Sequence, residues 1–208
     1  MLIGLVGLAG SGKDTIAKHL VEHHGFVKLS FADVLKDVIS TVFGWDRQRL
    51  EGVTPEDRAW REQEDIWWSQ KCGQKITPRT MLQKWGTDIC RAHFHQKLWI
   101  FCLEQRLSAL TSQGVSDVVV SDCRFEDECE VIQSNKGILI RVEREIPSWY
   151  HTAKHERNNM PIAFPDIHIS EYGIVSYPVN YTVMNNGTPS QLFDIINHIL
   201  ELEIEPTF

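Results

Sequence analysis

The stretch Gly7-Leu-Ala-Gly-Ser-Gly-Lys-Asp-Thr15 (GLAGSGKDT) follows the short, largely apolar run Met1 to Val6. It meets the pattern G-x-x-x-x-G-K-[ST] at Gly7, Gly12 and Lys13 and breaks it at Asp14. Glycines at these places let backbone N–H groups turn inward and approach phosphate oxygens. The start of the following helix adds the positive end of its dipole, and Lys13 adds a full charge. The loop residues Ala9, Gly10, Ser11, Gly12 and Lys13 are therefore expected to hold a polyphosphate. Asp14 stands where a magnesium-binding hydroxyl is usual. Thr15, one place later, is the expected metal-side hydroxyl, and Asp14 is expected to cap the helix N-terminus, where the dipole favours a carboxylate.

Outward from the loop, apolar periodicity sets the elements. Asp14 to His24 reads as a helix with Ile16, Ala17, Leu20 and Val21 in register, stopped by Gly25. FVKLSF (26–31) reads as a second strand. The next helix runs to Gly44, with Val34, Leu35, Val38, Ile39, Val42 and Phe43 expected on one buried face. Trp45 to Lys75 is polar, charged and rich in tryptophan, without a strand period, and reads as a helical excursion. Thr77-Pro78 opens a helix expected to continue through Phe94, and another spans about 96–112. SDVVVSD, GILIRVER and VNYTVMN read as further strands, with a short helix at Glu126 to Ser134. Ile146 to Pro165 reads as a mobile excursion. Thr188-Pro189-Ser190-Gln191 has capping-box form and opens a last amphipathic helix.

Strands alternating with helices predict an α/β fold, a three-layer sandwich around a central five-stranded parallel sheet. One domain over 1–208 is expected, with excursions at 45–95 and 145–172. No apolar run approaches the roughly 20 residues of a membrane span. The five cysteines are scattered with no CxxC pair, which suits reduced thiols in a cytoplasmic setting (a host cytoplasm, if the protein is viral). A net charge of −7 argues against broad nucleic-acid binding, so any anion must be met by arginines gathered locally. No membrane partner is expected either, and a homodimer stays open.

SDCRFEDE closes the third core strand. Ligands of open α/β sheets bind at carboxyl ends of strands, so Asp122 is placed to orient a hydrated metal and Arg124 to reach a phosphate with its planar fork. Here a resemblance emerges. GSGKDT, RTMLQKWGTDICR, VVVSDCRFEDE, GILIRVER, DIHISE and TVMNNGTPSQLFDII, in this order, resemble the deoxynucleoside monophosphate kinases of bacteriophages, relatives of the adenylate kinase group. The resemblance implies ATP and Mg2+ as cofactors and a deoxynucleoside monophosphate as acceptor. It implies that Lys13, Asp122, Arg124 and the lid arginine Arg144 serve phosphoryl transfer, with Thr15 and Asp122 near the metal. Asp33, Lys36, Arg79, Gln83, Trp85, Asp88 and Arg91 would line the acceptor pocket. Glu128 would orient Arg124; His168, Ser170 and Glu171 would support the lid; Asn185 to Thr188, with Asn186 and Gly187 central, would border adenine. Arg157 is a second lid candidate, because the evenly spaced lid arginines of the best-known adenylate kinases are missing.

Two other readings stay open. A kinase of a hydroxyl acceptor, such as dephospho-coenzyme A or a nucleoside, would need a carboxylate base, and Asp33 is placed to be one. A non-catalytic ATP-binding switch would bind without acceptor-dependent turnover. HTAKH (151–155) lacks the glutamate of a zinc-hydrolase helix. His93 and His95 fall on different helical faces.

Overall fold

The computed structural model describes residues 1–204. In chain order the elements are β1 (Leu2–Val6), α1 (Lys13–His24), β2 (Val27–Leu29), α2 (Asp33–Phe43), α3 (Pro55–Glu62), α4 (Ile66–Cys72), α5 (Pro78–Gln83), a π-helical run (Lys84–Phe94), α6 (Leu98–Ser112), β3 (Val118–Cys123), α7 (Glu126–Ser134), β4 (Ile138–Glu143), α8 (Tyr150–His155), α9 (Met160–Ala163), α10 (Ile169–Tyr172), β5 (Tyr181–Met184) and α11 (Pro189–Ile204). They form two compact units, one of Met1–Ser30 with the chain from Leu110 onward, the other of Phe31–Ala109.

The first unit holds the sheet, in the order β2-β3-β1-β4-β5 with every pairing parallel. Five strands joined by helical crossovers are the α/β architecture that the alternating pattern requires. Strand alternation sends Ile3, Leu5, Ile140, Val142 and Val183 into a core shared with Ile16 and Leu20 of α1 and Leu192, Ile196 and Ile199 of α11. Gly4 points the other way. A Cβ there would press on Leu139 at 2.8 Å and on Ile132 of α7 at 3.2 Å, so a close helix approach requires the glycine. Helices thus cover both sheet faces, giving the three layers. The capping box of α11 forms as its sequence suggests: Thr188 N–H donates to Gln191 Oε1 at 2.9 Å and Gln191 N–H to Thr188 Oγ1 at 3.3 Å.

The 146–165 segment, read from the sequence as an excursion, holds short helical elements. It winds into α8, a 3-10 turn at Arg157–Asn159 and α9, around a core of Tyr150, Ala153, Met160, Tyr172 and Val175. Its apolar residues are too few for periodicity but converge once the turns form. In α1 the buried set includes His19, while Val21 is exposed. Stacking of the His19 ring on Phe193, centroids 4.2 Å apart, explains how an imidazole joins this face.

The second unit is helical. In α2 only Leu35 and Ile39 are buried, and Val38 and Val42 of the expected face are exposed. Its packing centres on aromatic rings. Phe43 stacks on Trp45 at 4.4 Å and meets Trp68 and Trp85 edge-on at 4.9 and 5.9 Å. Buried indole N–H groups need acceptors; Trp45 Nε1 finds Asp65 at 2.8 Å and Trp68 Nε1 the Phe43 carbonyl at 3.1 Å. Thr77 caps α5 by accepting from Thr80 N–H at 3.1 Å, with Pro78 in the first turn. The helix does not then continue in α form. From Lys84 it widens to the π form, marked at its end by His95 N–H on the Cys90 carbonyl at 2.9 Å. Trp99 Nε1 donates to the Gly86 carbonyl at 2.7 Å, and Leu35 packs where a Gly86 side chain would stand.

Candidate active site

The loop between β1 and α1 is shaped by glycine. Gly7 (φ 148°) leaves no room for a Cβ beside the Val142 carbonyl, and Gly12 (φ 109°) none beside the Asn185 amide. Gly12 is also the N-cap of α1, with no side-chain cap bond, so Asp14 is not the capping residue expected of it. It lies in the first turn, largely exposed, with Lys28 Nζ 3.3 Å from its Oδ1. A helix start whose N–H groups no side chain caps is suited to an anion.

Lys13 curls back over the loop, its Nζ donating to the carbonyls of Gly7 and Leu8, both at 2.7 Å. Its pKa falls to about 8, first because burial disfavours the ammonium and then because the Arg124 guanidinium repels it. Asp14, Glu171 and Asp122 pull the other way. Five of the expected residues therefore lie within electrostatic reach of one another at this loop.

Asp122, near the carboxyl end of β3, accepts from Ser30 Oγ at 2.5 Å. Sequence reading passed over Ser30, although it follows β2 at the same end of the sheet. Glu128, buried in the first turn of α7, accepts from the backbone N–H of Arg124 at 2.8 Å and of Phe125 at 3.2 Å. It thus fixes the Arg124 main chain. The guanidinium is met by the Ser170 carbonyl at 3.2 Å and Glu171 Oε1 at 3.3 Å. His168 caps the short α10, its Nδ1 accepting from Ser170 N–H at 3.2 Å. The H-I-S-E segment is therefore the support on which Arg124 rests.

Arg144 and Glu171 line a cleft of about 490 Å³ together with Leu8, Ala9, Gly10 and Trp149. Arg157, the second lid candidate, pairs with Glu126. Asn185 turns its amide onto the glycine loop, Nδ2 donating to the Ser11 carbonyl at 2.8 Å. Asn186 and Gly187 follow it, exposed, between β5 and α11.

The remaining expected residues belong to the second unit. Asp33 Oδ2 lies 3.0 Å from Arg106 Nη1, and its Oδ1 lies 3.8 Å from Arg47 Nη2. Lys36 pairs with Glu51 at 2.7 Å, and Glu51 also bonds Arg47. These neighbouring cations hold the Glu51 carboxyl below its ordinary range against the opposing effect of burial. Arg47 and Arg106 were not foreseen; arginines scattered along a charged segment carry no spacing signal. Arg79 faces Glu62 at 3.9 Å, and Gln83 ends α5. Trp85, Asp88 and Arg91 all lie in the π-helical run.

Among the described residues no cluster of three or more histidine, cysteine or acidic side chains could cage a metal. Magnesium seldom needs one, since it keeps waters and shares ligands with phosphates. Thr15 and Asp122 offer the hard oxygen donors that such an ion takes. None of the five cysteines is disulfide-bonded, and among the described residues no helix is long and apolar enough to cross a membrane.

A parallel sheet with a glycine loop after β1, a loop lysine, an aspartate at the carboxyl end of β3 and an arginine just after it defines a nucleotide-dependent phosphotransferase of the P-loop class. The family model described as deoxynucleotide monophosphate kinase matches residues 55–196. A protein of Acanthamoeba polyphaga mimivirus, provisionally named a deoxynucleotide monophosphate kinase, is 30% identical over 94% of each chain. The deoxynucleoside-5'-monophosphate kinase of Escherichia phage T5 is 23% identical over 99% of this chain and 98% of its own. Among solved structures, shikimate kinase from Acinetobacter baumannii aligns over 98% of this chain and 95% of its own, at 15% identity and a TM-score of 0.43. The chain belongs to the deoxynucleotide monophosphate kinase family, and its activity is that of a nucleotide kinase.

Proposed function

We propose that the chain transfers the γ-phosphoryl group of ATP, with magnesium, to the 5'-phosphate of a deoxynucleoside monophosphate, giving the diphosphate for DNA synthesis in the cytoplasm. The observation that carries this reading is the pairing of like charges at the loop. Lys13 is buried within reach of Arg124, and the two cations repel each other. A polyanion entering there would offset the repulsion between the two cations.

Phosphoryl transfer asks chiefly for positioning and for charge stabilisation. Lys13 and the loop N–H groups would hold the ATP phosphates. Arg124, held by Glu171 and Ser170, would meet the transferring group, and Arg144 would close over it from the cleft rim. Magnesium, held through Thr15 and Asp122, would neutralise phosphate charge. Ser30 keeps the Asp122 carboxylate oriented. The acceptor oxygen is already ionised at neutral pH, so no side chain has to remove a proton. The two units would work as one kinase domain, the first carrying the donor side, the second the acceptor-side residues Arg79, Gln83, Trp85, Asp88 and Arg91.

The hydroxyl-acceptor reading needs Asp33 as a base. Both carboxylate oxygens are engaged by guanidinium groups rather than held open toward an acceptor hydroxyl. That arrangement suits a structural anion. The test is a coupled assay for ADP release across deoxynucleoside monophosphates, nucleosides and dephospho-coenzyme A. Turnover with monophosphates alone supports the proposal. Turnover with a hydroxyl acceptor alone, or with none, rejects it.

A further inference from the structure

Asn185 is the first residue after β5 (Tyr181–Met184), and its backbone N–H donates to the Glu143 carbonyl at 2.8 Å. That bond extends the β4–β5 ladder one step beyond the strand end and fixes where the side chain starts. The residue is 9% exposed, and its Nδ2 donates to the carbonyl of Ser11, itself buried, at 2.8 Å. The same Nδ2 fills the space that a Gly12 side chain would need. One side chain thus explains both the glycine at position 12 and the partner of the preceding carbonyl.

In a planar trans peptide the C=O of one residue and the N–H of the next point in opposite directions. Anchoring the Ser11 oxygen on the Asn185 side therefore turns the Gly12 N–H to the opposite side. We propose that Asn185 is a positioning residue for the nucleotide kinase reaction: it locks the Ser11–Gly12 peptide with the N–H presented to the donor phosphates. The proposal rests on the glycine loop being the donor site. It makes donor affinity depend on a residue of the β5–α11 connection, 174 positions along the chain from the carbonyl it holds.

The test is the affinity for ADP of the wild type, Asn185→Leu and Asn185→Asp at pH 5.5 and pH 8, each variant divided by the wild type at the same pH so that the titration of Lys13 cancels. Leucine keeps the bulk and removes the donor, so binding should weaken by about tenfold at both pH values. Aspartate keeps the shape but sets a carboxylate against a carbonyl. The Asn185→Asp deficit should therefore be about tenfold or more at pH 8, where the carboxylate is fully ionised. Hydrogen exchange across residues 7–15 of the ligand-free protein should quicken in both variants at pH 8. Thermal melts in the same buffers establish that each variant is folded, and Asn185→Ser, which shortens the arm, replaces Asn185→Leu if leucine unfolds the chain. Wild-type affinity in the leucine or serine variant, or in the aspartate variant at pH 8, overturns the proposal. A wild type that binds no ADP overturns the donor-site reading, and the proposal with it.

Discussion

Raising the pH should weaken nucleotide binding through a single residue, Lys13. In the ligand-free chain its pKa lies at about 8 against an ordinary 10.5, because the ammonium is buried and Arg124 repels it. A group with that pKa is about one-tenth neutral at pH 7, half neutral at pH 8 and nine-tenths neutral at pH 9. Bound phosphates require the charged form and restore its proton. Binding should then take up about half a proton at pH 8 and about 0.9 at pH 9, and the Kd should rise about tenfold from pH 7 to pH 9, or about 1.4 kcal/mol. The nucleotide's last phosphate proton, with a pKa of about 6 in phosphate monoesters, is about nine-tenths gone by pH 7 and does not mask the effect. Isothermal titration of ADP without metal, in two buffers of different ionisation enthalpy, measures both quantities. Lys13→Arg, charged throughout, should show no such slope. Arg124→Gln should move the midpoint upward by removing the repelling neighbour. A Kd that stays level from pH 7 to pH 9, or an equal slope in Lys13→Arg, would refute the reasoning.

The same burial has a consequence for folding. Between about pH 8 and 10.5 the folded chain gives up a Lys13 proton that the unfolded chain keeps, so this group's contribution to stability rises with pH across that window and is least favourable below it. Lys13→Met removes the buried charge but also the donor to the Gly7 and Leu8 carbonyls, so ligand-free stability at pH 7 should rise by well under about 3 kcal/mol in denaturant melts while kcat falls about 10²–10³-fold. Loss of stability, or unimpaired turnover, would contradict it. Gly12→Ala must adopt a left-handed backbone and displace the Asn185 amide, at a cost of about 2–3 kcal/mol, lowering the Tm by roughly 5–10 °C. An unchanged melting temperature would show that the loop relaxes freely. Asp33→Asn weakens the ion pairs to Arg106 and Arg47, and kcat with a deoxynucleoside monophosphate should fall less than about tenfold. A fall of about a thousandfold, with the acid limb of the pH–rate profile lost, would establish a base and a hydroxyl acceptor.

The parallel sheet was legible because buried strands announce themselves as short apolar runs closed by glycine or polar residues, as in GILIRVER, and because caps such as Thr188–Gln191 mark helix starts chemically. The second unit was far less legible. Neither α3 nor α4 has a fully buried residue, and its order comes from Phe43, Trp45, Trp60 and Trp68, whose contacts follow ring geometry rather than any period. The π-helical run escaped for a related reason. Helical spacing assumes i→i−4 bonding throughout, and twelve residues from Arg79 to Arg91 subtend a different angle once most of them adopt the wider turn. At the site, the glycine loop and the strand-end D-x-R stand out in the sequence through their spacing alone. The supports do not: Ser30 on Asp122, Glu128 on the Arg124 backbone and Asn185 on Ser11 are long-range bonds, which no local pattern encodes.

The central claim is that phosphate passes from ATP to the phosphate of a deoxynucleotide. Incubation with γ-labelled ATP, magnesium and thymidine or deoxyguanosine monophosphate, followed by separation of the products, tests it directly. Label is expected in the β-position of the deoxynucleoside diphosphate, with formation of the labelled product lost in Lys13→Met. Label appearing only as free phosphate, or on a sugar hydroxyl, would contradict it.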